Sequence, residues 1–378
     1  MLQIQLAIST AQALTLEQLC RLSTDNFDFD DAQIAGISNT LLQYSPVQGD
    51  VLLRQEIVNF HQNLNCNSRI IDAESAVTFC GAQEALSAIY HTVLSAGDEI
   101  IVLTPSYPSL VNMAESMGVT VREIALCTDN NWQVNIEDFN QLVNDKTRLI
   151  VLNSPHNPTG STIDTNLANQ ILQLAQQYHC YLLSDDVSQA SNYHSLALAH
   201  RYLDYPKSIV VGVMSKSLGL AGVRIGWAIT TNNTLRHSLI AIKAVNSICC
   251  SKIDEKLYEL SPKKANELYG ILFFMNPDNF KLNKQEIKNS DKNKEILALN
   301  NQVILDNITL FSALIARHPE KLNWQAPQAG ILALVEVKNI TSITSWSQKL
   351  AKQSGILVLP SELFGLKGNY FRLGLGQR

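Results

Sequence analysis

Lys216 and Arg224 stand eight positions apart in Val211-Gly-Val-Met-Ser-Lys216-Ser-Leu-Gly-Leu-Ala-Gly222-Val-Arg224-Ile-Gly226. The apolar run from Ser208 to Val213 reads as a buried strand, which puts the lysine at its C-terminal edge. A lysine held there loses solvation and with it basicity, which suits it to Schiff-base chemistry. A nearby arginine suits a phosphate, because its planar fork pairs with anionic oxygens. Together the two read as an anchor for pyridoxal phosphate. Taken alone, the segment also fits a surface lysine with the arginine in a salt bridge.

Two more apolar runs end in polar residues. Arg148 to Leu152 leads into Asn153-Ser-Pro-His-Asn157-Pro-Thr-Gly160, and Tyr181-Leu-Leu-Ser184 leads into Asp185-Asp-Val-Ser188. Ligands of open α/β sheets gather outside the carboxyl ends of the strands, so the three ends are expected to converge. Asp185 would pair with a pyridinium nitrogen and keep it protonated; a plain turn cap suits Asp186 better. Gly81-Ala82-Gln83 lies between a strand ending at Phe79 and a helix carrying Glu84 and Leu86. The free amides at such a helix start attract an anion, although an ordinary strand-to-helix turn has the same sequence character.

The elements that must position these groups alternate. Strands are predicted at Ala76–Phe79, Glu99–Leu103, Val119–Leu126, Thr147–Leu152, Tyr181–Ser184, Ser208–Val213 and Ile225–Thr230. Helices are predicted at Gln83–Leu94, Leu110–Met117, Ile136–Val143, Leu167–Tyr178 and Leu235–Val245. This rhythm argues for an α/β fold, a mostly parallel sheet flanked by helices. The opening Ile4–Ile8 reads as a short strand, and Thr15 with Gln18 as a capping-box start for a helix carrying Leu16, Leu19 and Leu22. Beyond Ile248 the alternation stops. A long helical pattern, Ile296 to Ile315, precedes short strands near Ile331–Val335, Gly355–Leu359 and Tyr370–Leu375, as in a smaller α+β domain. The expected division is a large domain over 41–250 and a small one over 1–40 and 251–378. A lysine-rich insertion at about 280–295 (Lys281, Lys284, Lys288, Lys292, Lys294) reads as a solvated segment or, more sharply, a basic patch.

At 378 residues, 46% hydrophobic and 17% charged, the chain is long enough for two domains around a sizeable core. A net charge of −5 gives no reason to expect nucleic acid. No apolar stretch approaches the ~20 residues of a membrane span, and the N-terminus does not read as a signal peptide. The seven cysteines (Cys20, Cys66, Cys80, Cys127, Cys180, Cys249, Cys250) contain no Cys-x-x-Cys spacing. A reduced, cytoplasmic location with packed thiols is the expectation, and no metal site is foreseen.

On the Lys216, Asp185, Asn-Pro-Thr-Gly and Arg224 motifs, which occur in the family's order, the chain resembles the fold-type I pyridoxal phosphate enzymes of the class I/II aminotransferase superfamily. The likeness runs from about Tyr44 to Arg372. It implies that Asn157 donates to the cofactor's ring hydroxyl and that Tyr107, in Pro105-Ser-Tyr107-Pro108, stacks on the ring. Tyr44, in Tyr44-Ser-Pro-Val-Gln-Gly49, would reach the phosphate of the neighbouring subunit, which implies a homodimer with shared active sites. Arg372, in Tyr370-Phe-Arg372-Leu-Gly-Leu-Gly, would grip the substrate α-carboxylate with Asn157 assisting; a terminal salt bridge is its plainer reading. Two departures stand out. Ser188 occupies the place of a tyrosine that usually bonds the ring hydroxyl, and Val213 that of a hydroxyl for the phosphate. The phosphate cup then falls to Ala82, Gln83, Ser215, Arg224 and Tyr44.

Ile8-Ser9-Thr10-Ala11 with Thr15-Leu-Glu17, Ser247-Ile-Cys-Cys-Ser251 with Asp254-Glu255, and Phe371-Arg-Leu-Gly-Leu-Gly-Gln-Arg378 resemble a smaller branch. That branch includes capreomycidine synthase and enduracididine-forming cyclases, which act on hydroxylated arginines. The likeness implies cyclisation of a hydroxyarginine with loss of water, in natural-product or toxin biosynthesis. Thr10 is a further substrate-contact candidate, and Glu17 and Asp25 are candidates for the guanidine. Ordinary transamination with a keto-acid acceptor is the alternative. A regulator or binding protein without turnover is a third reading, against which Lys216, Asp185 and Arg372 all being present argues.

Overall fold

Runs of Val, Ile and Leu bounded by turn residues become the strands of a seven-stranded sheet, its order β2-β8-β7-β6-β5-β3-β4. They are β2 (Ala76–Phe79), β3 (Glu99–Thr104), β4 (Thr120–Ala125), β5 (Thr147–Asn153), β6 (Tyr181–Asp185), β7 (Ser208–Val213) and β8 (Gly226–Ile229). All pairings are parallel except those of β8, which runs antiparallel to both β2 and β7. The computed structural model describes residues 4–13, 15, 40–65, 71–194, 202–256 and 296–378. The lysine-rich segment, the helix expected after Thr15, Glu17 and Asp25 lie outside the described residues.

Because side chains alternate along a strand, each one feeds two cores. Ile100, Val102, Leu149, Val151, Leu183, Ile209 and Val211 pack on one face with Leu86, Ile89 and Tyr90 of α2 (Ala82–Val93) and with Leu235 and Leu239 of α6 (Asn233–Asn246). Ile101, Leu103, Ile150, Leu152 and Leu182 pack on the other, with Ile171 and Ala175 of α5 (Thr165–Gln177) and Phe139 of α4 (Ile136–Leu142). Both faces are covered, which explains why the central strands read as continuous apolar runs. A third cluster joins Val210, Trp227 and Ile229 to Leu53 and Ile57 of α1 (Val51–Asn65). Helix α3 (Pro108–Ser116) follows β3.

A four-stranded antiparallel sheet, β12-β13-β10-β9, lies later in the chain: β9 (Leu322–Trp324), β10 (Leu332–Val337), β12 (Leu359–Pro360) and β13 (Tyr370–Gly374). It packs with α8 (Ile296–Arg317) and α9 (Ile343–Ser354) through Ile304, Ile315, Val335, Ile343 and Leu373. The expected N-terminal strand shrinks to β1 (Ile4–Gln5), paired in parallel with β11 (Ile356–Leu357). Beyond Gln5, Leu6 N–H donates to the Leu357 carbonyl of β11 at 2.9 Å and its carbonyl accepts from Gly374 N–H of β13 at 2.7 Å, and the segment then runs on to Lys216. Helix α7 (Lys252–Lys256) follows α6.

Candidate active site

Lys216 lies three residues past β7, where the polypeptide has left the ladder. The N-terminal segment crosses here. Ala11 N–H donates to the Lys216 carbonyl at 2.9 Å, and Lys216 Nζ donates to Ser9 Oγ at 3.0 Å. That crossing needs bare backbone beneath it. A Cβ on Gly219, Gly374 or Gly376 would collide with the carbonyls of Gln12, Ile8 and Thr10 respectively. Burial lowers the Lys216 ammonium to about 8; the positive Arg372 adds to the effect and Asp185 opposes it.

Alternation along the chain separates Asp185, the last residue of β6, from Asp186, which follows it. Asp185 shares the face of Leu183 and feels Lys216, whereas Asp186 shares the face of Ser184, whose hydroxyl donates to Asp186 Oδ1. Val187 N–H donates to Asp185 Oδ1 at 3.4 Å, so the turn contact falls on Asp185 rather than Asp186. Burial pushes Asp185 up to about 6, against the pull of the Val187 N–H and Lys216. It pushes Asp186 up to about 7, against the Ser184 hydroxyl and helped by Asp185. A cation placed on Asp185 would relieve the first of these.

Gly81, at φ 93°, turns β2 into α2, and no side chain caps that helix. The guanidinium of Arg224 lies directly over the turn. Its Nη2 donates to the Cys80 carbonyl at 3.1 Å, and a Cβ on Gly81 would collide with that same atom. Arg224 itself adopts φ 53°, a left-handed conformation that costs a non-glycine residue energy and aims the side chain back across the turn. Free amides of Ala82 and Gln83 beside an exposed arginine make a cradle for a phosphate. Ser215 is buried nearby in sequence to Lys216.

Asn153 ties the strand ends together. Its Nδ2 donates to the Asp185 carbonyl at 2.9 Å, and its Oδ1 accepts from Asn157 N–H at 2.7 Å. Asn157 Oδ1 in turn accepts from Arg372 Nη1 at 3.4 Å. Arg372, on β13, is 6% exposed and also donates from Nη2 to the Ala7 carbonyl at 3.0 Å. Its Nε has no partner, and the guanidinium lies 4.8 Å from the centroid of the Phe364 ring. Burial lowers its guanidinium to about 10. A buried cation with an idle donor is the arrangement a carboxylate completes.

Lys216, Asp185, Asn157 and Arg372 are thus linked through contacts or shared charge, and Arg224 with Ala82 and Gln83 forms the anion cradle. Tyr107 is 38% exposed at the start of α3 and acts on the Arg372 charge. Ser188 is buried, its Cβ within 4.0 Å of one built on Gly330. Tyr44 is 77% exposed and is not gathered into the site of its own chain. Thr10 is held by Gln377, whose Nε2 donates to the Thr10 carbonyl at 2.8 Å and lies 3.5 Å from its hydroxyl. Ser9, one residue earlier, is the one that reaches Lys216. Ser9 and Asn153 stand in quoted motifs but carry no expected role, and Phe364 is not singled out by the sequence; for Asn153 the signal was its place as the last residue of a buried strand.

The residues present fit pyridoxal phosphate: an amine already displaced from its usual basicity, a buried carboxylate that an adjacent cation would stabilise, and a cradle that only glycine permits. The family described as aminotransferase class I and II matches residues 5–253. Capreomycidine synthase of Streptomyces vinaceus is 25% identical over 310 residues, 79% of this chain and 69% of its own. An arginine–pyruvate transaminase of Pseudomonas aeruginosa is 29% identical over 225 residues, 56% of each chain. A PLP-dependent aminotransferase from Streptococcus suis superposes with a TM-score of 0.83 at 22% identity, covering 100% of this chain and 89% of its own. A double mutant of Thermus thermophilus aspartate aminotransferase gives 0.78 at 18% identity, over 100% and 88% of the two chains. The structural likenesses establish the fold.

Proposed function

The chain belongs to the aminotransferase class I and II family, whose cofactor is pyridoxal 5′-phosphate, and we propose that it cyclises a hydroxylated L-arginine. The product would be a cyclic guanidino amino acid of the capreomycidine or enduracididine type, formed with loss of water. The observation that carries this reading is Ser188. A small buried hydroxyl stands three residues after Asp185, where a transaminase of this family usually presents a phenol. Removing that donor retunes the site away from amino transfer. The likeness to capreomycidine synthase, which extends over 79% of the chain, supports the same choice.

Each residue then has a task. Arg372 binds the substrate carboxylate through its idle Nε and a neighbouring N–H, and Asn157 holds the Arg372 fork in place. Arg224 with Ser215 and the Ala82 and Gln83 amides would hold the cofactor phosphate; Asp185 would serve the pyridine nitrogen, Asn157 the ring hydroxyl, Tyr107 the ring face, and Ser188 would stand in place of the usual phenol. Bound there, the cofactor supplies an electron sink for the substrate's α-carbon. Lys216 Nζ, with basicity lowered to about 8, takes and returns the α-proton near neutral pH. The hydroxyl departs as water and a guanidine nitrogen of the same molecule takes its place, closing a five- or six-membered ring. Competing solvent must be kept out, and the N-terminal strap over Lys216 serves that end.

The functional unit is proposed to be a homodimer in which Tyr44 of each copy completes the phosphate cup of the other. Tyr44 is solvent-facing, as are Leu41, Leu42, Val51 and Leu52 around it, which is a surface a second copy would cover. Residues 41–250 would form the large domain and 1–40 with 251–378 the small one. No helix among the described residues is long and apolar enough to cross a membrane, and a cytoplasmic location is proposed.

The test is one incubation with hydroxyarginine and no keto acid, followed by mass analysis. A product lighter by one water, with its α-amino nitrogen retained, supports cyclisation. Ordinary transamination is the second reading, favoured by the likeness to an arginine–pyruvate transaminase. Conversion of several amino acids only when a keto acid is added would put it first.

A further inference from the structure

The residues just before the Gly81 turn carry a second cluster, which the chemistry above leaves unused. Cys80 is part of the cradle's frame: its N–H donates to Glu84 Oε2 and its carbonyl accepts from Arg224 Nη2. Cys80 is half-buried, and its thiol lies 3.9 Å from the Cys249 carbonyl, the peptide group that leads into Cys250. Cys250 is buried, its Sγ 3.6 Å from Thr78 Oγ1. The Thr78 hydroxyl donates to Glu255 Oε1 at 2.7 Å and receives Lys243 Nζ at 3.2 Å. Lys243 is fully enclosed, so a fixed cation stands among the thiols.

Contact with Cys250, and the Lys243 charge after it, hold the Cys80 thiol below its ordinary range despite burial and Glu84. The same contact, with burial, pushes Cys250 up. Cys80 is half-buried and Cys250 buried, so one sulfur is within reach of a small oxidant while the other is protected behind it, the arrangement of an attacking and a resolving thiol.

We propose that Cys80 and Cys250 are a site of reversible oxidation by hydroperoxides, and that their disulfide loosens the grip of the Gly81–Arg224 cradle on the cofactor phosphate. The second half rests on the site assignment made above. The Cys80 thiolate attacks the peroxide O–O bond; a sulfur–oxygen bond forms, and the alcohol or water leaves on taking a proton. Cys250 sulfur then displaces the hydroxyl from Cys80, forming the disulfide, and its proton leaves with that hydroxyl as water. Two electrons pass from the two sulfurs to the peroxide, and a dithiol returns them.

Bonding the sulfurs draws them to about 2.05 Å, which moves the Cys80 backbone. The cradle has no slack to absorb this. Gly226 packs so closely on the Gly81 carbonyl carbon and the Ala82 nitrogen that a Cβ would not fit between them. Thr78, which loses the Cys250 contact, also donates its N–H to the Gln48 carbonyl at 3.0 Å, and so carries the shift to the Tyr44–Gly49 segment.

The experiment treats the holoenzyme with hydrogen peroxide, maps peptides without reduction, and measures the cofactor Kd by equilibrium dialysis. The expected map shows a Cys80–Cys250 bridge, with a Kd raised about tenfold, as for one lost charge-assisted contact, and restored by dithiothreitol. In Cys80→Ser and Cys250→Ser proteins the Kd should not respond to peroxide; the alanine variants replace them if either serine variant folds poorly. A map with no bridge, or with Cys80 joined to Cys249, overturns the proposal. A Cys80–Cys250 bridge with an unchanged Kd overturns its second half. Arg224→Ala, which should weaken cofactor binding with or without peroxide, separately tests the cradle assignment.

Discussion

Lys216 Nζ donates to Ser9 Oγ at 3.0 Å, although 207 positions of chain separate the two residues. A second rung, Ala11 N–H to the Lys216 carbonyl, makes this a clamp on both ends of the lysine, its main chain and its amine. On the proposed function, the clamp stands where the amine would be aimed at a substrate carbon. Ser9→Ala is expected to lower kcat on the order of tenfold with little change in KM, since it frees the amine and leaves the carboxylate contacts intact. Steady-state kinetics on the substrate identified by the incubation above check it, and an equal rise in KM would assign Ser9 to substrate binding instead.

Lys216 also gives a pH signature without any cofactor. Its amine falls from 10.5 to about 8 on folding, so between those values the unfolded chain holds a proton that the folded chain has released. Stability of the cofactor-free protein should therefore rise with pH across that window: the burial penalty is full below about 8 and gone above 10.5. Urea denaturation at several pH values measures the slope, and Lys216→Met should flatten it relative to wild type.

The two aspartates should separate cleanly. Asp185→Asn is expected to leave the fold intact and cut turnover on the order of a hundredfold, because the ring nitrogen loses its fixed counter-charge. Asp186 sits on the other face, and burial already favours its uncharged form up to about 7. Asp186→Asn should then cost little below that pH and leave the visible absorbance of the bound cofactor in place. The reverse outcome would show that the strand presents Asp186 to the ring.

Arg372→Lys keeps the charge and loses the fork. KM is expected to rise about tenfold to a hundredfold, the effect of one or two charge-assisted hydrogen bonds, with a smaller change in kcat. An unchanged KM would place the substrate carboxylate elsewhere.

Sharing of sites is tested by mixing Tyr44→Phe and Lys216→Ala subunits. In a mixed dimer with Tyr44 reaching across, one site carries both defects and the other neither, so activity should recover in part. No recovery after verified subunit exchange would count against the shared cup.

Much of this was legible because it is local. The apolar run of β7 and the lysine beyond it, the β2 strand and its glycine turn, and the aspartate ending β6 all lie within a few residues of what they mean. Helix α1 was missed because its buried stripe includes Arg54 and His61. Arg54 is satisfied by the Gly49 and Ala73 carbonyls, and His61 Nε2 accepts from Trp227 Nε1 at 2.8 Å. Helix α9 buries Ile343 with Ser347, too polar a stripe to stand out. In the N-terminal segment the expectation fell on Thr10, one residue from Ser9, because a strap with no ladder of its own gives no period from which to tell which side chain points inward. Only its glycine bed, from Gly219, Gly374 and Gly376, settles that.

That strap has a consequence for when the enzyme can first exist. The carbonyls of Thr10 and Ala11 are both held by Gln377 Nε2, at 2.8 and 2.9 Å, and Gly374 N–H donates to the Leu6 carbonyl at 2.7 Å. Thr10 and its neighbours thus wait for a residue made 367 positions later before Ser9 can settle on Lys216. The seven-stranded sheet needs nothing beyond β8 to pair its strands, so it can form during synthesis. The reactive amine would then be held in place only after Gln377 has emerged, leaving a nascent chain with a folded sheet and an unfinished catalytic centre.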